Sequence, residues 1–365
     1  MVTNQTSARK RIIGVDLARA LAVIGMIIVN FKLVFGDDGA PWLQRTVSVL
    51  DGKAAATFVV LAGVGMAFMT NTALRNNDKV RLRVARKRIM KRAVFLFVLG
   101  LSYLLIWPAD ILHFYGVYML IILLLLRSRA SIILFVSLLL IVVYPLLMIL
   151  WPYETGWDFK ALEYEGFWTF SGFMRNLFFN GFHPVIPWAS FMLVGYWLGK
   201  QDLHNDRVVK KIFWISLGVF LAIQGLSYGA IAVLSAGTPQ VAQELTEIIG
   251  TSPMPPLPIY MFNGIAIAST VISGCILLAK SYENNRLVKA LRKTGKLALT
   301  FYVAHVVVGM GVVELVNPAK MVHYSMLFSI IYAILFTIGC VLFAVYWLKF
   351  NQTGPLEGAM RKLTG

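Results

Sequence analysis

The stretch GVDLARALAVIGMIIVN, residues 14–30, decides how this chain is to be read. It is apolar for most of its length, yet it carries Asp16, Arg19 and Asn30. Arg9, Lys10 and Arg11 precede it, and a basic flank before an apolar run is also the pattern of a secretory leader. Here the run is longer than a leader core and contains an acid and a base. The FGDDGAPW that follows offers no small-residue cleavage site. The stretch therefore reads as a retained membrane-spanning helix. Asp16 and Arg19 are three apart, so they are neighbours on one helical face. Asn30 lies eleven residues beyond Arg19, which at about 100° per residue returns it to nearly the same face. Such a polar stripe either orients the helix through an Asp–Arg pair, with Asn30 bonding to another helix, or lines a water-filled path.

The rest of the chain repeats the apolar pattern. Of 365 residues, 58% are hydrophobic and only 14% charged, against about 25% charged in soluble domains. A span needs about 20 apolar residues, with about 17 as a practical minimum. About ten spans are expected, near residues 12–35, 52–72, 93–108, 111–126, 131–151, 182–199, 212–235, 258–279, 297–315 and 325–348. The third and fourth are short and form a tight hairpin around WPADIL, with Pro108 ending the third helix. The fold class is all-α, a polytopic transmembrane helical bundle. One transmembrane domain occupies 12–348 between tails 1–11 and 349–365. In the second span, Ala54, Ala55, Ala56, Gly63 and Gly65 let a neighbouring helix approach closely.

Orientation follows from the basic residues. With the N-terminus inside, the inner segments hold 27 of the 34 Lys and Arg, nine of them in residues 73–92. Both termini are thus expected in the cytoplasm of a plasma (bacterial inner) membrane. The formal charge of +17 is largely this topology signal, and nucleic acid is not an expected partner. The run 75–92 suits the anionic lipid surface of the bilayer, or the phosphates of a donor such as acyl-CoA. Cys275 and Cys340 lie in apolar runs and imply neither a disulfide nor a metal site. No zinc spacing, nucleophile elbow or phosphate-binding loop occurs, so no metal is expected.

The remaining polar residues of the apolar segments are the candidate site. Asp110 and His113 stand one turn apart at the outer end of the fourth span. A carboxylate there fixes the imidazole tautomer and raises its basicity, which is how a general base is built; it also suits the helix start, and both roles are compatible. His183 begins the sixth span beside Pro184, Pro187 and Trp188, as an interfacial residue or a second outer base. His305 falls about 12 Å into the ninth span, one turn from Tyr302, where an imidazole needs a partner.

These blocks resemble a family. GVDLARALAVIGMIIVNF, GKAAATFVVLAGVGMAF, DILHFYGVYML, HPVIPWASFMLVGYWLG and GKLALTFYVAHVV look, in order, like blocks of the integral membrane acyltransferases, the YeiB-like and heparan-alpha-glucosaminide N-acetyltransferase-like proteins. The resemblance implies transfer of an acyl group, often acetyl, from cytoplasmic acyl-CoA to a hydroxyl or amine of an envelope glycan or related acceptor. On it, His113, Asp110 and His305 are the candidate catalytic residues, and Asp16, Arg19, Asn30, His183 and Tyr302 the candidate substrate-binding ones. In the lysosomal branch of that group the catalytic histidine lies in the first outer loop. Here that loop, GDDGAPWLQRTVSVLDGK, has none, so that role does not carry over. A transporter of a small or lipid-linked solute is the second reading, and a non-catalytic scaffold the third. The oligomeric state stays open, a homo-oligomer included.

Overall fold

The computed structural model describes residues 11–159, 163–317, 321 and 323–365. Most of the N-terminal tail, Lys160 and Lys320 therefore lie outside the described residues. Among the described residues the regular structure is helical apart from a pair of two-residue strands, β1 (Trp157–Asp158) and β2 (Glu163–Tyr164), and a lone bridge between Asp38 and Ser325. The helices are α1 (Ile13–Phe35), α2 (Pro41–Ser48), α3 (Lys53–Arg75), α4 (Lys79–Tyr103), α5 (Leu112–Leu125), α6 (Ala130–Leu150), α7 (Phe170–Arg175) and α8 (Val185–Lys200). There follow α9 (Asp206–Leu234), α10 (Pro239–Ile249), α11 (Pro258–Ser281), α12 (Arg286–Gly295), α13 (Ala298–Ala304), α14 (Gly311–Val316), α15 (Met326–Phe350) and α16 (Pro355–Thr364). A π-helical stretch, His305–Met310, joins α13 to α14, and another, Asn176–Asn180, follows α7.

Seven helical segments among the described residues are long and apolar enough to cross a membrane. An eighth forms if the pair Phe170–Asn180 and Val185–Lys200, bent by 49°, counts as one. The expected third and fourth spans are the ones that fall short. α5 has only 14 residues, and α4 spends its first half on the basic run.

That run is helix rather than loop. Asp78 caps α4 by accepting the Arg81 amide, and the buried residues Leu82, Ala85, Ile89, Ala93 and Leu96 follow at helical spacing. One face thus packs while the arginines and lysines point away. α4 also ends earlier than Pro108 would require, at Tyr103.

Small residues set the closest crossings. A Cβ on Gly63 would stand 2.1 Å from the Met192 carbonyl oxygen, and one on Gly195 would stand 2.0 Å from that of Val60. α3 and α8 therefore touch backbone to backbone at the centre of the bundle, as the small residues of α3 lead one to expect. The bundle's outer surface is apolar: α9 exposes Trp214, Leu221 and Leu226, and α15 exposes Leu327, Leu335 and Leu342. That surface suits lipid rather than water.

We call the end where α1 begins proximal and the opposite end distal. α3 starts distally, where Lys32 of α1 pairs with Asp51 at 2.6 Å. α16 lies at the proximal end, where Glu357 accepts the amides of Leu299 and Thr300 and the Thr300 hydroxyl, at 2.8, 3.1 and 2.6 Å. It thereby caps α13 from 57 residues away. Burial pushes the Glu357 carboxyl above its ordinary 4.5, partly offset by the Thr300 hydroxyl and the backbone amides. A raised carboxyl favours folding most when protonated. Its contribution is complete below the ordinary value and is lost as pH rises through the raised one. The melting temperature is expected to decline across that window, and Glu357→Gln to flatten the decline. An unchanged slope in the variant would acquit Glu357.

Candidate functional site

The centre of the bundle holds a cluster of polar groups built on the α4–α5 turn. Asp110 is fully buried, and its two oxygens are used differently. Oδ1 accepts the hydroxyls of Tyr103 at 2.7 Å and Tyr302 at 3.2 Å. Oδ2 accepts the His113 amide at 3.0 Å and faces His113 Nδ1 at 2.8 Å. Asp110 therefore starts α5 and holds the imidazole at once. The Tyr302 hydroxyl also accepts the Ile111 amide at 3.1 Å, which ties α13 to the turn. With Nδ1 donating to the carboxylate, Nε2 keeps its lone pair. That atom is buried and has no hydrogen-bond partner among the described residues.

Gly100 of α4 makes this geometry possible. A Cβ there would stand 2.4 Å from Asp110 Oδ2 and 2.4 Å from the His113 amide nitrogen.

His305 is also fully buried and opens the π-helical stretch. Such stretches interrupt the regular hydrogen-bond ladder and recur at functional positions. Its side-chain partner is not the Tyr302 hydroxyl, one turn away in sequence, but Asn30, whose Nδ2 lies 2.9 Å from Nε2. The Tyr302 ring packs against the imidazole at 5.4 Å between centroids, while its hydroxyl turns to Asp110. Trp107 and Phe31 close the imidazole's other sides. Asn30→Ala would leave a buried ring nitrogen unpaired and is expected to cost about 1–3 kcal/mol of stability. Thermal unfolding measures this, and a cost of zero would show that His305 repartners freely.

Two cavities approach this cluster from opposite ends. The proximal one, of about 270 Å³, is lined by Arg11, Arg19, Arg92, Lys296 and Arg361, with Glu357 the acid among its lining residues. Phe58 and Tyr115 form its inner end. Among the described residues the Tyr115 hydroxyl and Arg92 Nε are buried without hydrogen-bond partners, and Arg92 Nη1 meets the Met69 sulfur at 3.2 Å. A second proximal cavity of about 480 Å³ shares Arg11 and Arg19. Between them Asp16, buried, accepts Arg11 through both oxygens and Arg19 at 2.9 Å.

The distal cavity, of about 550 Å³, is lined by Asn30, Lys32, Asp51, Ala109, His183 and Trp188, among others. The His183 ring stands edge-on to Trp188 at 4.6 Å, its Nδ1 is unpartnered, and its carbonyl accepts the Tyr118 hydroxyl. Ala55 of α3 lines the distal cavity and Phe58 the proximal one. Three helical residues rise about 4.5 Å, so the wall between the cavities is thin. Phe58 stacks on Tyr302 at 6.3 Å in that wall.

Of the residues singled out in the sequence, Asp110, His113 and Tyr302 are brought into direct contact. His305 and Asn30 adjoin them, and His183 stands on the distal side. Asp16 and Arg19 line the proximal cavities and do not join the cluster. Sequence reasoning missed Gly100, Tyr103, Phe58 and Tyr115, and it singled out Arg92 only as the last residue of the basic run 75–92. Among the described residues no group of three or more His, Cys, Asp and Glu is placed to hold a metal ion.

Fold and site together define a polytopic helical membrane protein with two opposed cavities and a buried Asp–His pair held through Tyr302. The family model described as "Heparan-alpha-glucosaminide N-acetyltransferase, catalytic" matches residues 11–227, more than half of the chain, which therefore belongs to that family. "Protein of unknown function (DUF418)" matches residues 196–365, so the two models together run through to the C-terminus. The "Uncharacterized protein YeiB" of Escherichia coli (strain K12) is 25% identical over 396 residues, covering 97% of this chain and 96% of that one. No solved structure matches the chain.

Proposed function

We propose that the protein is an acyl-CoA-dependent membrane acyltransferase. It moves an acyl group, acetyl in the first place, from cytoplasmic CoA to a hydroxyl or amine of an envelope glycan or related acceptor. The observation that carries this reading is the pair of opposed cavities separated by a thin wall at Phe58 and Tyr302, with Asp110 and His113 buried directly behind Tyr302. Family membership supports acyl transfer as the chemistry. The distribution of Lys and Arg supports a cytoplasmic proximal end, both termini inside and about ten spans in the plasma membrane.

CoA is too polar to cross a bilayer, so its thioester must meet the acceptor inside the protein. The proximal cavity offers arginines for the phosphates. His113 Nε2 takes the proton from the acceptor hydroxyl or amine as that atom attacks the thioester carbonyl. The new bond to the acyl carbon forms as the carbon–sulfur bond breaks, and CoA leaves as the thiolate and takes up the proton. Asp110 stabilises the imidazolium in between, and Tyr103 and Tyr302 hold Asp110 still. Asn30 and His183 border the acceptor side, with His305 behind Asn30, and Asp16 and Arg19 border the donor entrance. No metal is required by these steps.

Membranes carrying the protein are expected to incorporate the acetyl group of labelled acetyl-CoA into their glycan or lipid fraction. Solute counterflow without CoA, and no incorporation, would overturn the reading in favour of transport. Arg92 gives a sharper test, because among the described residues no carboxylate pairs with it. Arg92→Gln is expected to raise KM for acyl-CoA about tenfold with kcat nearly unchanged. An unaltered KM would remove Arg92 from the donor site.

A further inference from the structure

The distal cavity has two different walls. Met26, Val29 and Leu33 line it from α1. Their spacing of three and four places them in one strip along the helix. The strip descends from the cavity mouth for about 10 Å at 1.5 Å per residue. Ala54 and Ala55 of α3 extend the same apolar lining, and Leu33 remains 38% exposed at the mouth. The upper level, beside Leu33, holds the Lys32–Asp51 pair, Glu154 and Glu247, while Asn30 lies deeper on α1, next to Val29. A free sugar would satisfy the upper level and leave the strip wetted.

The mouth is flanked by two short helices of a particular kind. α2 leads through Val49 and Leu50 into Asp51, and α10 supplies Glu247. Around α2, Trp42 is 68% and Val49 49% exposed, and α10 exposes Ile248 at 62%. α10 also carries Gln240, Gln243, Glu244 and Glu247. Short helices with a polar face and exposed Trp, Val and Ile lie in the interface where headgroups meet acyl chains. The cavity thus opens at headgroup level, and its apolar strip runs down towards the bilayer interior beside α1.

We infer that the acceptor taken by this cavity is lipid-linked: a hydroxyl- or amine-bearing headgroup on a long hydrocarbon chain, delivered sideways from the distal leaflet. The headgroup lies at the mouth, at the level of the Lys32–Asp51 pair and Glu247, and the chain descends past Leu33, Val29 and Met26. The word acceptor rests on the acyltransferase reading; the binding site does not.

Trp188 lines the cavity and reports occupancy. The test uses the full chain in lipid nanodiscs and a dodecyl glycoside brominated at the chain end, a quencher of indole fluorescence. A saturable quenching component is expected that Trp188→Phe lacks. Unbrominated dodecyl glycoside should displace it, and a hundredfold excess of the free sugar should not. Val29→Asn is expected to raise the half-quenching concentration at least fivefold at unchanged melting temperature. The inference is overturned if no saturable component depends on Trp188, or if the free sugar competes as well as the alkyl glycoside. Saturable quenching by a protein that transfers no acetyl group would support this inference and overturn the acyltransferase reading alone.

Discussion

His113→Ala is expected to lower acyl transfer about a hundredfold to ten-thousandfold, the range that a positioned general base contributes. The expectation rests on one atom. Nε2 of His113 is the unpartnered end of an imidazole whose other nitrogen is fixed on Asp110 at 2.8 Å. The protein should still insert and fold. Asp110 keeps the Tyr103 and Tyr302 hydroxyls, and it keeps the residue-113 amide, which alanine retains. The loss should therefore appear in kcat, with KM for acyl-CoA nearly unchanged. Gel filtration and thermal unfolding verify the fold, and labelled acetyl-CoA measures the rate. Normal transfer by a well-folded variant would remove His113 from the mechanism and leave His305 as the remaining buried imidazole.

Gly100→Ala is the second large effect, and it runs against helix propensity. Alanine in a helix interior is ordinarily better than glycine by about 1 kcal/mol. At Gly218, Gly225 and Gly229 of α9, where an added Cβ meets nothing within 4 Å, that gain should be realised. At Gly100 the same methyl would stand 2.4 Å from both Asp110 Oδ2 and the His113 amide. Neither can yield without loss. The carboxylate is held by two tyrosines, and the amide belongs to the first turn of α5. Overpacking of this kind costs about 1–3 kcal/mol. It also displaces the imidazole, so transfer should fall at least tenfold, since small misplacements are costly in catalysis. Gly218→Ala, measured alongside, should be neutral or stabilising and fully active. If the two variants behave alike, the cradle around Asp110 is not tight.

What the sequence could reveal depended on distance along the chain. The Asp16–Arg19 and Asp110–His113 pairs are each three residues apart, so helical spacing alone made them neighbours. The small residues of α3 announced a close crossing, though not that α8 would be the partner. The helical continuation of the basic run was legible too. Leu82, Ala85 and Ile89 follow a helical period there, but the density of charge reads more readily as a loop. The tertiary contacts left no local trace. Tyr302 reaches Asp110 across 192 residues and Asn30 reaches His305 across 275, and no spacing rule spans such gaps. His305 was visible as an imidazole in need of a partner, but the nearest hydroxyl in sequence was the wrong one. Tyr103, Tyr115, Phe58 and Arg92 lie in segments that look like ordinary apolar or basic stretches. Their roles appear only when α3, α4, α5 and α13 are packed together.

The central claim is that donor and acceptor enter from opposite ends and meet at the wall of Phe58 and Tyr302, behind which Asp110 holds His113. The measurement that tests it most directly is a cryo-electron-microscopy structure of the full chain with a non-hydrolysable thioether analogue of acetyl-CoA. The account predicts density in the proximal cavity, with its phosphates among Arg19, Arg92 and Arg361. Its acyl end should lie at Phe58 and Tyr115, beneath Tyr302 and Asp110. An analogue bound in the distal cavity, or one whose acyl end points away from that wall, would contradict the account.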